Sequence, residues 1–209
     1  MSGEVSEVVK RSLDIVTAAV LLVLVAPLLL LAVLAVRLSG PGPTVFRQAR
    51  VGRDGRPFEV LKLRTMHVGA EDRLATLLAH DPVAAAEFAR FGCLRRDPRV
   101  AGVVGHSLRR WSVDELPQLW NVLRGDMSMV GPRPLPQLIV AMLDAEHQRV
   151  RATVRPGITG PYQVYGRCDL DLGSMRELDL AYVAGRGTAR DLVLLARTPW
   201  AVASGAGAN

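Results

Sequence analysis

The hydrophobic pattern changes period several times along the chain. Ile15 to Val36 reads IVTAAVLLVLVAPLLLLAVLAV, 22 positions without a charge. Such a run can cross a hydrocarbon core of about 30 Å. It is too long for the apolar core of a secretory signal, and no small-residue cleavage site follows it. Upstream, Val5, Val8, Val9 and Leu13 fall close to helical spacing, which predicts a short amphipathic lead-in on a membrane surface. The stretch SGPGP at 39–43 ends the apolar unit. Two short apolar runs, TVFRQARVG and PFEVLKLRTM, flank the turn Asp54-Gly55 and predict a β-hairpin. Residues 70–92 are alanine-rich and helical in character, interrupted at Asp81-Pro82. Leu116, Leu119, Trp120 and Leu123 follow i, i+3, i+4, i+7, the mark of an amphipathic helix. Another helix is expected over 136–151, a short strand over YQVYG, and a last helix over about 188–197.

These elements predict an α+β fold with helices dominant. They divide the chain into a membrane unit (1–38), a catalytic domain (39–200) and a disordered tail (201–209). The residues leave the topology of the membrane unit open. Pro27 sits near the middle of the run and favours a kink. Lys10 and Arg11 precede the run, and Arg37, Arg47, Arg50, Arg53 and Arg56 follow it. Basic flanks prefer the cytoplasm, so a spanning helix would satisfy one flank and a re-entrant hairpin both.

Composition narrows the partners. The 209 residues carry a formal net charge of +6, and all the cations but Lys10 and Lys62 are arginines. That balance suits anionic lipid, nucleic acid or phosphorylated small molecules. Aromatics are only 5%, too few for stacking platforms on single-stranded nucleic acid. Cys93 and Cys168 fit no zinc or redox spacing and are expected as two reduced thiols, with a disulfide between them left open. His67, His80, His106 and His147 show no metal-ligand spacing.

The chemistry concentrates in SVDELPQLWNVLRGDMSMVGPRP, from Ser112 to Pro134. Asp114 and Glu115 stand where the amphipathic helix begins. Ser112 with Glu115 has capping-box spacing, and that reading alone would explain the acids. The same position also suits catalysis. A helix start favours an ionised aspartate, and an aspartate can attack phosphorus covalently. A carboxylate that attacks an anionic phosphate needs neutralising charge from a metal, from arginines, or from both. Glu115 beside Asp114 is a reasonable oxygen ligand for Mg²⁺. The candidate cations are Lys62, Arg64, Arg109, Arg133, Arg155 and Arg167. Other readings of the residues are a membrane-tethered lipid- or nucleic-acid-binding protein and a membrane-bound Mg²⁺-dependent phosphatase.

Several ordered motifs resemble the bacterial sugar transferases, the monotopic polyprenyl-phosphate phosphoglycosyl transferases. KRSLDI with the apolar run resembles the family's membrane entry. VFRQARVGRDGRPFEVLKLRTM resembles F-x-Q-x-R-x-G, G-x-x-F and K-x-R-[ST]-M in order. DPRVAGVVGHSLRRWSVDELPQLWNVLRGDMSMVGPRP and RPGITGPYQVYGR resemble two further signature blocks. The likeness covers about Lys10 to Pro199 and is similar to the catalytic part of larger members.

The resemblance implies transfer of a sugar-1-phosphate from a UDP-sugar to undecaprenyl phosphate, with release of UMP. It implies Asp114 as the nucleophile of a covalent phospho-sugar intermediate and Glu115 beside Mg²⁺. It implies phosphate or nucleotide contacts for Lys62, Arg109, Arg133 and Arg167. It implies a helix-break-helix at Pro27 that enters one leaflet of the bacterial cytoplasmic membrane, with the catalytic domain on the cytosolic face. No nucleic-acid partner is expected, and a homodimer is left open. Two departures stand out: Ala26-Pro27 replaces the family's frequent Ser-Pro, and Pro161-Tyr162 replaces its Trp-Ala. The insert between Met66 and Asp97 looks more like that of the hexose-1-phosphate enzymes, which points to glucose or galactose.

Overall fold

The computed structural model describes residues 2–205 and 207, with side chains from Glu7 onward. The elements in chain order are α1 (Ser2–Leu38), β1 (Val45–Val51), β2 (Pro57–Leu63), α2 (Ala70–His80) and α3 (Pro82–Phe91). Then come α4 (Gly102–Arg110), α5 (Gln118–Arg124), β3 (Ser128–Val130), α6 (Gln137–Val140), α7 (Ala145–Ala152) and β4 (Gly157–Thr159). The chain closes with α8 (Pro161–Tyr165), α9 (Leu172–Ala184) and α10 (Thr188–Ser204). Helices dominate a small α+β architecture, as the periodicity predicts.

α1 is one helix of 37 residues and continues through Pro27, where helix-break-helix was expected. A proline costs one intrahelical hydrogen bond and favours a bend, but it need not end the helix. The lead-in is continuous with the apolar run; Val8, Val9 and Leu13 are exposed, and the Val5 side chain lies outside the described residues. The buried positions of α1 form a stripe. Ala18, Leu21, Leu22 and Val25 pack on one core cluster. Leu29, Ala32, Val33 and Val36 pack on another. Spacing of three to four residues keeps the stripe on one helical face. Val16, Val20, Val23, Leu24, Leu30, Leu31 and Leu34 are exposed on the rest.

Three apolar clusters hold the elements together. The largest joins Ala18 of α1 to Val60, Leu119, Val122, Met127, Met129, Val130, Tyr182 and Leu194. A second fills the space under the alanine-rich insert with Leu74, Phe88, Leu135, Ile139, Tyr162 and Met175. A third seats the end of α1 on Leu63 of β2 and on Val104 and Leu108 of α4.

The hairpin forms as expected: β1 and β2 pair antiparallel, Val45 opposite Leu63, and Asp54 takes φ 57° in the turn. Asp81 ends α2 and caps α3, accepting from the amides of Val83 and Ala84. The helix expected over 136–151 is two helices, α6 and α7, parted at 141–144. The strand expected at YQVYG is instead α8, because Pro161 at its first helical position has the φ of a helix start. The strand of this region is β4, which pairs parallel with β3. α9 was not anticipated, and α10 runs past 197. Residues 201–204 belong to α10, and Ala201 is buried; Ala206, Ala208 and Asn209 lie outside the described residues. Cys93 and Cys168, expected as separate thiols, are joined as a disulfide across 75 residues. Sequence spacing is uninformative over such a distance, because only the fold brings the turn after α3 to the turn after α8.

Candidate active site

β2 carries Lys62 inward, and Asn121 fixes that strand. The Asn121 side chain is fully buried. Its Oδ1 accepts from the Leu61 amide (3.0 Å), and its Nδ2 donates to the Glu59 carbonyl (2.7 Å). One side chain thus satisfies two ladder groups on the free edge of β2 and locks α5 against it.

The carboxylate pair stands in a 3-10 turn, Val113–Glu115, ahead of α5. The expected capping box does not form. Ser112 has φ 55°, its side chain caps nothing, and its Oγ accepts from Arg167 Nη2 at 2.9 Å. The left-handed backbone at Ser112 turns the chain so that Asp114 points inward, 4% exposed.

Four cations surround the pair. Lys62 Nζ lies 2.7 Å from Glu115 Oε1, and Arg133 Nη2 lies 3.3 Å from the same oxygen. Arg167 reaches the turn through Ser112, and Arg109 acts on Asp114 from the end of α4. The electrostatics separate the two acids. Burial raises Asp114 to about 6, with Glu115 adding repulsion, while Lys62, Arg109 and Arg133 oppose the rise. Burial also works against ionised Glu115, but Lys62 and Arg133 outweigh it and hold Glu115 well below the usual carboxylate range. Asp114 is therefore the more basic member, contrary to the expectation that a helix start would favour its ionised form. Burial lowers the Lys62 ammonium even beside Glu115.

The turn carrying Arg133 rests directly on backbone. A Cβ on Gly131 would meet the Arg155 carbonyl at 2.4 Å, and one on Gly160 would meet the Gly131 carbonyl at 2.0 Å. Gly157 is equally closed: a Cβ there would meet the Gly131 amide nitrogen at 2.1 Å. The glycines of VGPRP and RPGITG thus exist to let two main chains touch, beside the β3–β4 pair.

Two candidate cations are elsewhere. The Arg64 guanidinium donates to the carbonyls of Val36, Gly40 and Pro41 at 2.6–3.0 Å and closes the C-terminal end of α1. Arg155 Nε donates to the Gly125 carbonyl (2.9 Å) just past α5, where Arg11 of α1 holds the carbonyls of Val122 and Leu123. Arg50 was missed. It lies near Arg133 and Glu115, and burial together with Arg133 lowers it to about 9. Its only sequence signal was its place in the F-x-Q-x-R-x-G pattern. Among the described residues no cluster of three or more His, Cys, Asp or Glu side chains could hold a metal by itself.

The residues that build this acid pair and its ring of cations, together with the long apolar helix α1, lie within a stretch of sequence that matches known proteins. The family model for bacterial sugar transferases matches residues 5–205. The chain is 45% identical over 199 residues to a UDP-glucose:undecaprenyl-phosphate glucose-1-phosphate transferase of Caulobacter vibrioides, covering 90% of this chain and 67% of that protein. It is 39% identical to a UDP-galactose-lipid carrier transferase of Erwinia amylovora, over 92% of this chain and 40% of that protein. An undecaprenyl-phosphate galactose phosphotransferase of Salmonella typhimurium is 38% identical, with the same coverage. The chain thus spans about two-fifths of the length of several relatives. With the match running from the membrane helix through α10 and including every element that builds the acid pair's surroundings, the chain belongs to the bacterial sugar transferase family.

Proposed function

We propose that the protein transfers a hexose-1-phosphate from a UDP-sugar to undecaprenyl phosphate, with glucose or galactose as the sugar. The observation that carries this is the division between the two acids. Glu115 is fixed and neutralised by Lys62 and Arg133, whereas Asp114 is buried and basic enough to be a competent nucleophile that is mostly ionised at neutral pH. In the first step an Asp114 carboxylate oxygen attacks the phosphorus bearing the sugar. The bond from that phosphorus to the bridging oxygen breaks, and UMP leaves. In the second step an oxygen of the lipid phosphate attacks the same phosphorus and frees the Asp114 carboxylate. Lys62, Arg109, Arg133 and Arg167 neutralise the phosphate charge through both steps.

A divalent cation fits this donor set only in part. Mg²⁺ commonly takes one or two protein carboxylates and completes its shell with phosphate and water. Asp114 and Glu115 supply such a pair, though one Glu115 oxygen already faces Lys62 and Arg133. When bound, the ion would add Lewis-acid neutralisation at the diphosphate.

The contacts of α1 favour a one-leaflet reading of the membrane unit, which we place as a re-entrant helix bent at Pro27 with the domain on the cytosolic face. α1 touches the same domain from Arg11, at the end of α5, to Val36, beside β2. At 1.5 Å per residue that is about 38 Å of helix held against one body, which a helix leaving for the opposite leaflet cannot maintain. Cysteine labelling at Ser2 and Ser204 in sealed vesicles should give same-side modification; opposite sides would mean a spanning helix.

The chemistry is tested by intact-protein mass spectrometry after incubation with UDP-glucose or UDP-galactose without acceptor. A hexose-phosphate adduct on Asp114 with stoichiometric UMP is expected. Transfer that persists in Asp114→Asn would sink the reading.

A further inference from the structure

The Arg133 turn is held at three successive carbonyls. The Gly157 amide donates to the Pro132 carbonyl (2.9 Å), Arg151 Nη2 to the Arg133 carbonyl, and Arg50 Nη1 to the Pro134 carbonyl (3.0 Å). The middle contact has its own buried support. Arg151 Nη1 lies 3.4 Å from Asp179 Oδ2, and His147 Nε2 lies 2.9 Å from the same oxygen. The side chains of Asp179 and His147 are each 1% exposed, and that of Arg151 is 9% exposed. An arginine suits this place because one arm of its planar head donates to the carbonyl while its charge lies beside the Asp179 carboxylate.

We propose that Arg151 is a positioning residue for Arg133: anchored on Asp179, it fixes the backbone from which Arg133 reaches Glu115. The inference rests on the reading of Arg133 as a contact for the donor's phosphates. Arg151 itself stays away from the acids; its charged partner is Asp179, across the turn. Any effect of Arg151 on the acids therefore has to travel through Arg133. The groups that set the acids' charge directly are Arg50 from β1, Lys62 from β2, Arg109 from α4, Arg133 from its turn and Arg167 from the turn after α8.

The test uses the full chain in nanodiscs, with UMP release measured against UDP-sugar concentration and pH. Arg151→Lys keeps a cation beside Asp179, so the fold should survive, which thermal unfolding checks. The expected result is a rise of about tenfold in the donor KM with kcat changed less than about threefold. The acidic limb of kcat/KM should move up by about half a pH unit, because Arg133 no longer backs the acids fully. Arg133→Lys should shift the same quantities further, and the double variant should add nothing to Arg133→Lys. A wild-type donor KM and pH limb in Arg151→Lys, or additive losses in the double variant, would overturn the positioning role while leaving Arg133 as a phosphate contact. An unchanged donor KM in Arg133→Lys would overturn both.

Discussion

The cations divide into two groups that look alike in sequence. Lys62, Arg133 and Arg167 converge on the acid turn, where Lys62 and Arg133 face Glu115. Arg11, Arg64 and Arg155 face backbone carbonyls at the ends of α1 and α5. The first group can exchange its contacts onto a phosphate, because a carboxylate and a phosphate present similar oxygens. The second group is committed to backbone carbonyls at helix ends. Lys62 and Arg64 are two residues apart, and Arg133 and Arg155 lie in neighbouring turns, yet each pair splits between the groups. Motif membership gives proximity, and the partner of the charge gives the role.

The sharpest break of this comparison is at the acid turn itself. Asp114→Asn should lower UMP release by at least about a thousandfold. It should also stabilise the protein. The folded-state pKa of Asp114 is raised to about 6 from 3.8, so its ionisation opposes folding at neutral pH. The penalty is full above about pH 6 and shrinks as pH falls toward 4, on the order of 1–3 kcal/mol at most. Thermal unfolding at pH 7 should show the variant several degrees higher, with the gap closing in acid.

Next in size, Arg133→Gln should cut kcat/KM about a hundredfold with little change in melting temperature. Arg64→Gln should do the reverse, losing on the order of 1–3 kcal/mol of stability with the donor KM unchanged. If Arg64→Gln instead raised the donor KM, the division between the groups would fail. In the wild type, kcat/KM should drop as pH falls through about 6, when Asp114 takes up a proton. The smallest effect belongs to the exposed pair Arg47–Glu59, 3.6 Å apart, where Arg47→Gln should change stability by less than about 1 kcal/mol and activity not at all.

Local signals read well where local physics decides. The Asp54-Gly55 hairpin and the Asp81-Pro82 break appear where the pattern placed them, and a helix forms at Gln118–Arg124, though Leu116 precedes it and Trp120 of the predicted stripe is exposed. The errors share a cause in tertiary context. Ser112 has capping-box spacing, but its hydroxyl is taken by Arg167 from 55 residues away. YQVYG alternates like a strand, but Pro161 starts a helix there. Among the site residues, Asp114, Glu115, Lys62, Arg109, Arg133 and Arg167 could be chosen from the motifs. Arg50 had only its place in F-x-Q-x-R-x-G, and Arg151 had no motif at all, because a surface arginine and one buried against a distant carbonyl carry the same letter. The sign of the Asp114 shift was also out of reach, since burial is a property of the packed fold.

The glycine contacts have a dynamic consequence. Gly131, Gly157 and Gly160 bring two turns together with no side chain between them, and the β3–β4 hydrogen bonds run alongside. Two main chains so joined move as one plate. Arg133 therefore has no hinge of its own, and any displacement around the acid pair must come from elements outside that plate. Even alanine at any of these three positions would wedge the plate apart, so the substitution profile of the turn should be flat at zero where a surface loop's would be permissive.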